Sequence, residues 1–95
     1  MKTVSNRILS SAVVEIRNYL NPFIQSWDYS ISGLKWTAEL LIGNFRYSLE
    51  VAEIGYMVEV LLICEERGIR IMFPARSEDA GRVLGSMINV LNLLN

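Results

Sequence analysis

Between Trp27 and Phe73 apolar and polar residues alternate with a period of two, and glycine-bearing pairs interrupt the alternation. That period sends successive side chains to opposite faces of a sheet, whereas a helical stripe repeats about every 3.6 residues. Trp27, Tyr29 and Ile31 alternate with Asp28 and Ser30, and Ser32-Gly33 offers a two-residue turn. Leu34, Trp36, Ala38, Leu40 and Ile42 alternate with Lys35, Thr37, Glu39 and Leu41, after which Gly43-Asn44 makes a second turn. Phe45, Tyr47, Leu49 and Val51 then alternate with Arg46, Ser48 and Glu50. The expected continuation is a loop from Ala52 to Gly55, a strand from Tyr56 to Cys64, a turn from Glu65 to Gly68 and a last strand from Ile69 to Phe73. Pro74 is expected to stop that strand, because it has no N–H to give to a ladder.

Both ends of the chain carry the other period. Ile8, Leu9, Ala12, Val13, Ile16 and Leu20 form one apolar stripe of a helix expected from Ser5 to about Leu20. Asn21-Pro22 closes it, since the residue before proline is pushed out of the α region. Near the other end Ser77 reads as an N-cap, with Glu78 and Asp79 in the first turn, where negative charge suits the helix dipole. This second helix is expected to reach about Leu94, with Val83, Leu84, Met87, Ile88, Leu91 and Leu94 as its apolar stripe. The fold class that follows is α+β: a single domain over residues 1–95, in the order α-β-β-β-β-β-α. It is a two-layer sandwich, with an antiparallel meander and both terminal helices packed on one face.

Each turn fixes a register. The first sets Ile31 opposite Leu34 and Tyr29 opposite Trp36; the second sets Ile42 opposite Phe45 and Leu40 opposite Tyr47. The loop sets Val51 opposite Tyr56 and Leu49 opposite Val58, and the last turn sets Cys64 opposite Ile69 and Leu62 opposite Ile71. All these residues share one uncharged face, the face that the helices would cover. The other face carries Lys35, Thr37, Glu39, Leu41, Arg46, Ser48, Glu50, Met57, Glu59, Leu61, Ile63, Arg70 and Met72. A purely solvated sheet face is polar, and here Leu41, Met57, Leu61, Ile63 and Met72 interrupt it with an apolar patch.

Composition narrows the chemistry. Nine basic and ten acidic residues leave a formal charge of −1, which argues against nucleic acid as a partner. The chain has no histidine, so the commonest general base and metal ligand are missing. Its single cysteine, Cys64, cannot close an intramolecular disulfide, no stretch is long enough for a membrane span, and the first residues lack a signal peptide's apolar run. A cytoplasmic protein is the expectation.

Other features have ordinary structural roles beside any functional one. Glu39, Ser48 and Glu59 line up across three strands in the expected register, with Glu50 diagonal to both glutamates; such carboxylates can hold a divalent cation or run hydrolysis, but they also suit an exposed acidic patch. Trp27, Tyr29, Trp36 and Tyr47 read as core packing toward the helices, while Lys35 and Arg46 point away. Gly81 and Gly85, four apart, suggest close helix packing, and Cys64 reads as a buried packing residue.

The functional expectation is a non-enzymatic protein-binding module, with no cofactor, no metal and no membrane. Small adaptors, chaperone-like proteins, immunity proteins and phage-type inhibitors share its size. The contact residues would be Leu41, Met57, Leu61, Ile63 and Met72, oriented by Glu39, Glu50, Glu59, Arg46 and Arg70, and a homodimer is expected. Two alternatives belong to other classes: a small-molecule or nucleotide pocket between helices and sheet beside Trp36, and a metal-dependent hydrolase using Glu39, Glu50 and Glu59.

Overall fold

The computed structural model of the chain describes residues 7–30 and 33–93. The expectations placed on Ser5, Ile31, Ser32 and Leu94 lie outside those residues. The first helix, α1 (Arg7–Leu20), ends where Asn21-Pro22 begins a short 3-10 turn (Asn21–Phe23). Strands β1 (Ile24–Tyr29), β2 (Lys35–Ile42), β3 (Phe45–Ile54), β4 (Met57–Cys64) and β5 (Ile69–Ala75) follow, and α2 (Ser77–Leu93) closes the chain. The five strands lie side by side in chain order, each antiparallel to the next. The α+β meander and its helix–strand order are those expected from periodicity.

The alternation decides the core. Trp36, Leu40 and Ile42 of β2, Tyr47, Leu49 and Val51 of β3, and Val58, Val60, Leu62 and Cys64 of β4 are buried on the inner face. The helices meet them with Leu9, Ala12, Val13, Ile16 and Leu20 from α1 and Ala80, Leu84, Ile88 and Leu91 from α2. The two helices also pack on each other, closely enough that a Cβ on Gly81 would run into the backbone carbonyl of Glu15. At Gly85 the neighbour is the Tyr19 ring, 3.2 Å from such a Cβ. The paired glycines thus serve helix–helix contact within one chain.

Several boundaries differ from expectation, among them the starts of β1, at Ile24 and not Trp27, and of β2, at Lys35 and not Leu34. The expected loop from Ala52 to Gly55 is strand: β3 runs on to Ile54, and a two-residue turn at Gly55-Tyr56 leads straight into β4. Gly55 sits at φ +61°, the left-handed conformation that a primed hairpin turn needs at its first central position; Gly43 does the same at φ +64°. Val51 therefore pairs with Val60 and Leu49 with Leu62, four residues along from the expected partners. An even displacement keeps the strand residues on their expected faces, but Tyr56, expected on the inner face opposite Val51, becomes a turn residue and is 92% exposed.

Pro74 does not stop β5, which continues to Ala75. β5 is an edge strand, and an edge tolerates a residue without an N–H. Ser77 is not the N-cap either. The Arg76 carbonyl accepts the first turn's N–H groups, from Asp79 and Ala80 at 3.0 Å each, and the Ser77 hydroxyl leans on Glu78.

Glu53 explains one gap in the pattern. It lies on the inner side of β3, where an apolar residue would be expected, and its Oε1 accepts the Leu9 backbone N–H at 3.1 Å. The first N–H groups of a helix have no partner in the helix itself, and a carboxylate there satisfies one of them and complements the dipole.

Candidate functional site

Register converts the outer face into rows that cross the strands. The middle row is Asp28–Thr37–Glu50–Leu61–Met72. On one flank lies Ser26–Glu39–Ser48–Ile63–Arg70, and on the other Lys35–Ala52–Glu59–Pro74. Leu41 pairs with Arg46 beyond the first flank, and Ile54 with Met57 beyond the second. All ten residues expected to form a contact surface are on this face, and among the described residues no helix covers it.

The structure sorts them more finely than composition could. Leu61 and Met72 are direct cross-strand neighbours, as expected, with Ile63 and Pro74 in the adjoining rows and the Ile54–Met57 pair beyond Glu59 and Ala52. This makes the β4–β5 half of the face largely apolar; Met72 is 54% exposed and Ile54 is 54% exposed. Leu41 stands apart at the far corner, separated from Ile63 by the polar β3 residues Arg46 and Ser48. Ile54 joins the face because β3 runs through the segment expected as a loop.

The β1–β3 half is polar and internally balanced. Lys35 Nζ lies 3.3 Å from Glu50 Oε1, and Arg46 Nη1 lies 3.5 Å from Glu39 Oε1. A shallow depression here is lined by Ser26, Asp28, Thr37, Glu39, Ser48 and Glu50.

The expected alignment of Glu39, Ser48 and Glu59 is corrected by the new register. Ser48 faces Ile63, while Glu59 faces Ala52 and Pro74 on the opposite flank. Glu50 and Glu39 are each engaged by a cation instead. Among the described residues no three histidine, cysteine, aspartate or glutamate side chains gather as metal ligands.

The aromatic residues also separate. Trp36 and Tyr47 are fully buried, but Trp27 and Tyr29 are 42% and 38% exposed, because β1 is an edge strand that the helices reach only partly. Trp27 meets Tyr29 edge-on at 5.9 Å and Trp36 at 6.2 Å, and the Arg17 guanidinium of α1 sits 4.6 Å from its ring centroid. A cation therefore does share the inner side of the sheet with exposed aromatics, which the expected division between faces had excluded.

No protein-family model, curated protein or solved structure matches this chain. Among the described residues, no helix is long and apolar enough to cross a membrane.

Proposed function

We propose that this chain is a non-enzymatic protein-binding module that occludes or holds a partner protein through the free face of its sheet. The observation that carries this reading is the apolar half of that face, where Leu61, Ile63 and Met72 adjoin one another and the Ile54–Met57 pair lies beyond Glu59, on the outside of a sheet whose central strands are packed on the inner side. Contiguous apolar surface of this kind marks interaction sites in folded proteins, and methionines let such a surface adapt to what it meets. The polar half beside it, with Glu39, Glu50, Arg46 and Lys35, supplies orientation and partner choice. A cytoplasmic setting suits a chain whose one cysteine is buried and free, and an adaptor or inhibitor role suits a small domain with an open apolar sheet face.

The test is a photo-crosslinking residue placed at Ser48, on the free face, with a second placed at Asn18, on the exposed side of α1. The expected result is a discrete protein adduct from position 48 alone, lost when Leu61→Lys is added. No adduct, or the same adducts from both positions, would rule the reading out.

A second reading has one observation in its favour. The exposed Arg17–Trp27–Tyr29 group offers an aromatic face and a cation to a flat anionic ligand such as a nucleotide. It differs from the expected pocket beside Trp36, since Trp36 is fully buried. Titration with nucleotides, followed by tryptophan fluorescence, tests it: saturable quenching lost in Trp27→Leu supports it, and unchanged emission removes it.

A further inference from the structure

We propose that the partner on the free face is a second copy of this chain, docked sheet to sheet about a two-fold axis running across the strands along the Asp28–Thr37–Glu50–Leu61–Met72 row. This rests on the protein-binding reading of that face and names its occupant.

The argument comes from how charges sit about the row. On the β4–β5 half, Arg70 lies one row to one side of Leu61–Met72 and Glu59 one row to the other side. Among the described residues neither has an ion-pair partner. On β2 the order is reversed: Glu39 lies on the Arg70 flank and Lys35 on the Glu59 flank, with Thr37 between them. A two-fold axis along the middle row exchanges the flanks. Lys35 of one copy then faces Glu39 of the other, and Arg70 meets Glu59 across a diagonal, each contact occurring twice. An isologous contact needs this antisymmetry, since residue i must suit residue j and j must suit i. A foreign partner imposes no such condition.

The apolar residues fit the same axis. Leu61 and Met72 lie on it and pack against their own counterparts, and Ile63 lies over the aliphatic stem of Glu59 in the second copy. Glu50 and Asp28 also lie on the axis and face themselves, an unfavourable feature that Lys35, 3.3 Å from Glu50, offsets at Glu50. Five strands spaced about 4.8 Å apart, with about 3.4 Å per residue along them, give a face of about 600 Å². That is of the order of the roughly 800 Å² per partner found in stable interfaces. Sheets packed this way cross at about 30° and leave both helix layers outside.

Charge reversal by light scattering over a wide concentration range tests the axis. The native chain is expected to dimerise, and Glu59→Arg and Arg70→Glu are each expected to raise the dimer Kd about tenfold or more. An equimolar mixture of the two variants should recover native affinity, because every changed flank then meets its complement. Lys35→Glu mixed with Glu39→Lys should behave likewise, which keeps the test independent of whether one variant folds. Glu50→Gln should tighten the dimer.

A native chain that stays monomeric overturns the proposal and leaves the protein-binding reading to the crosslink at Ser48, which must then yield an adduct with a different protein. A dimer indifferent to both reversals, or mixtures no tighter than their components, overturns it as well.

Discussion

Leu61 and Leu62 are neighbours in β4, yet Leu62 is fully buried beneath the helices while Leu61 is only half-buried on the outside of the sheet. The contrast extends to whole strands. β2, with the sequence KWTAELLI, alternates polar and apolar residues almost strictly, as a strand does when one of its faces is meant for water. β4, with the sequence MVEVLLIC, is apolar nearly throughout, which is how strands read when both faces are covered. The helices cover one face of β4. The other is left open, and the free face divides accordingly into a polar β1–β3 half and an apolar β4–β5 half.

The sharpest way to break this contrast is to cut the same side chain from each face. Leu62→Ala should cost about 3 kcal/mol by denaturant unfolding, as transfer and cavity terms add in a packed core. Leu61→Ala, measured at a concentration where association is negligible, should cost less than about 1 kcal/mol, because solvent already reaches the site. Equal losses would place Leu61 in the core and remove the free face.

Within the covered side, the two glycines of α2 sharpen the account. Gly81→Ala should destabilise by about 2 kcal/mol, since its methyl group meets the Glu15 backbone, which cannot yield without separating the helices. Gly85→Ala should be neutral or slightly stabilising, because an exposed Tyr19 ring can give way and alanine gains about 1 kcal/mol in helix propensity. Thermal unfolding of the pair reads both signs at once.

Smaller still is the effect expected for Glu53→Ala, about 1 kcal/mol, from loss of the acceptor for the Leu9 N–H. Exchange of the first amides of α1 should quicken with it. Lys35→Met should change monomer stability by less than about 0.5 kcal/mol, since both partners of its ion pair are close to half-exposed.

The fold was legible in the sequence because most turns carried their own signal and each helix its own stripe. Gly43-Asn44 gave the β2–β3 register directly, and Ile42 does pair with Phe45. The β3–β4 connection was not legible, and the reason is physical. Glu53 breaks the inner-face pattern because it serves α1 and not the sheet, and that contact spans 44 residues of sequence. The apolar surface survived the error because an even register shift preserves faces; the glutamate alignment did not, because alignment depends on the register itself. Trp27 and Tyr29 were misjudged for another reason: periodicity tells which face a residue is on, but not whether a helix extends far enough to cover an edge strand.

The most direct test of the central claim is Leu61→Lys, followed by near-ultraviolet circular dichroism for native packing and by light scattering for association. The account predicts a folded chain with native tertiary signals that no longer associates or crosslinks through the free face. A chain that unfolds, or one that keeps every contact with the lysine in place, would contradict it.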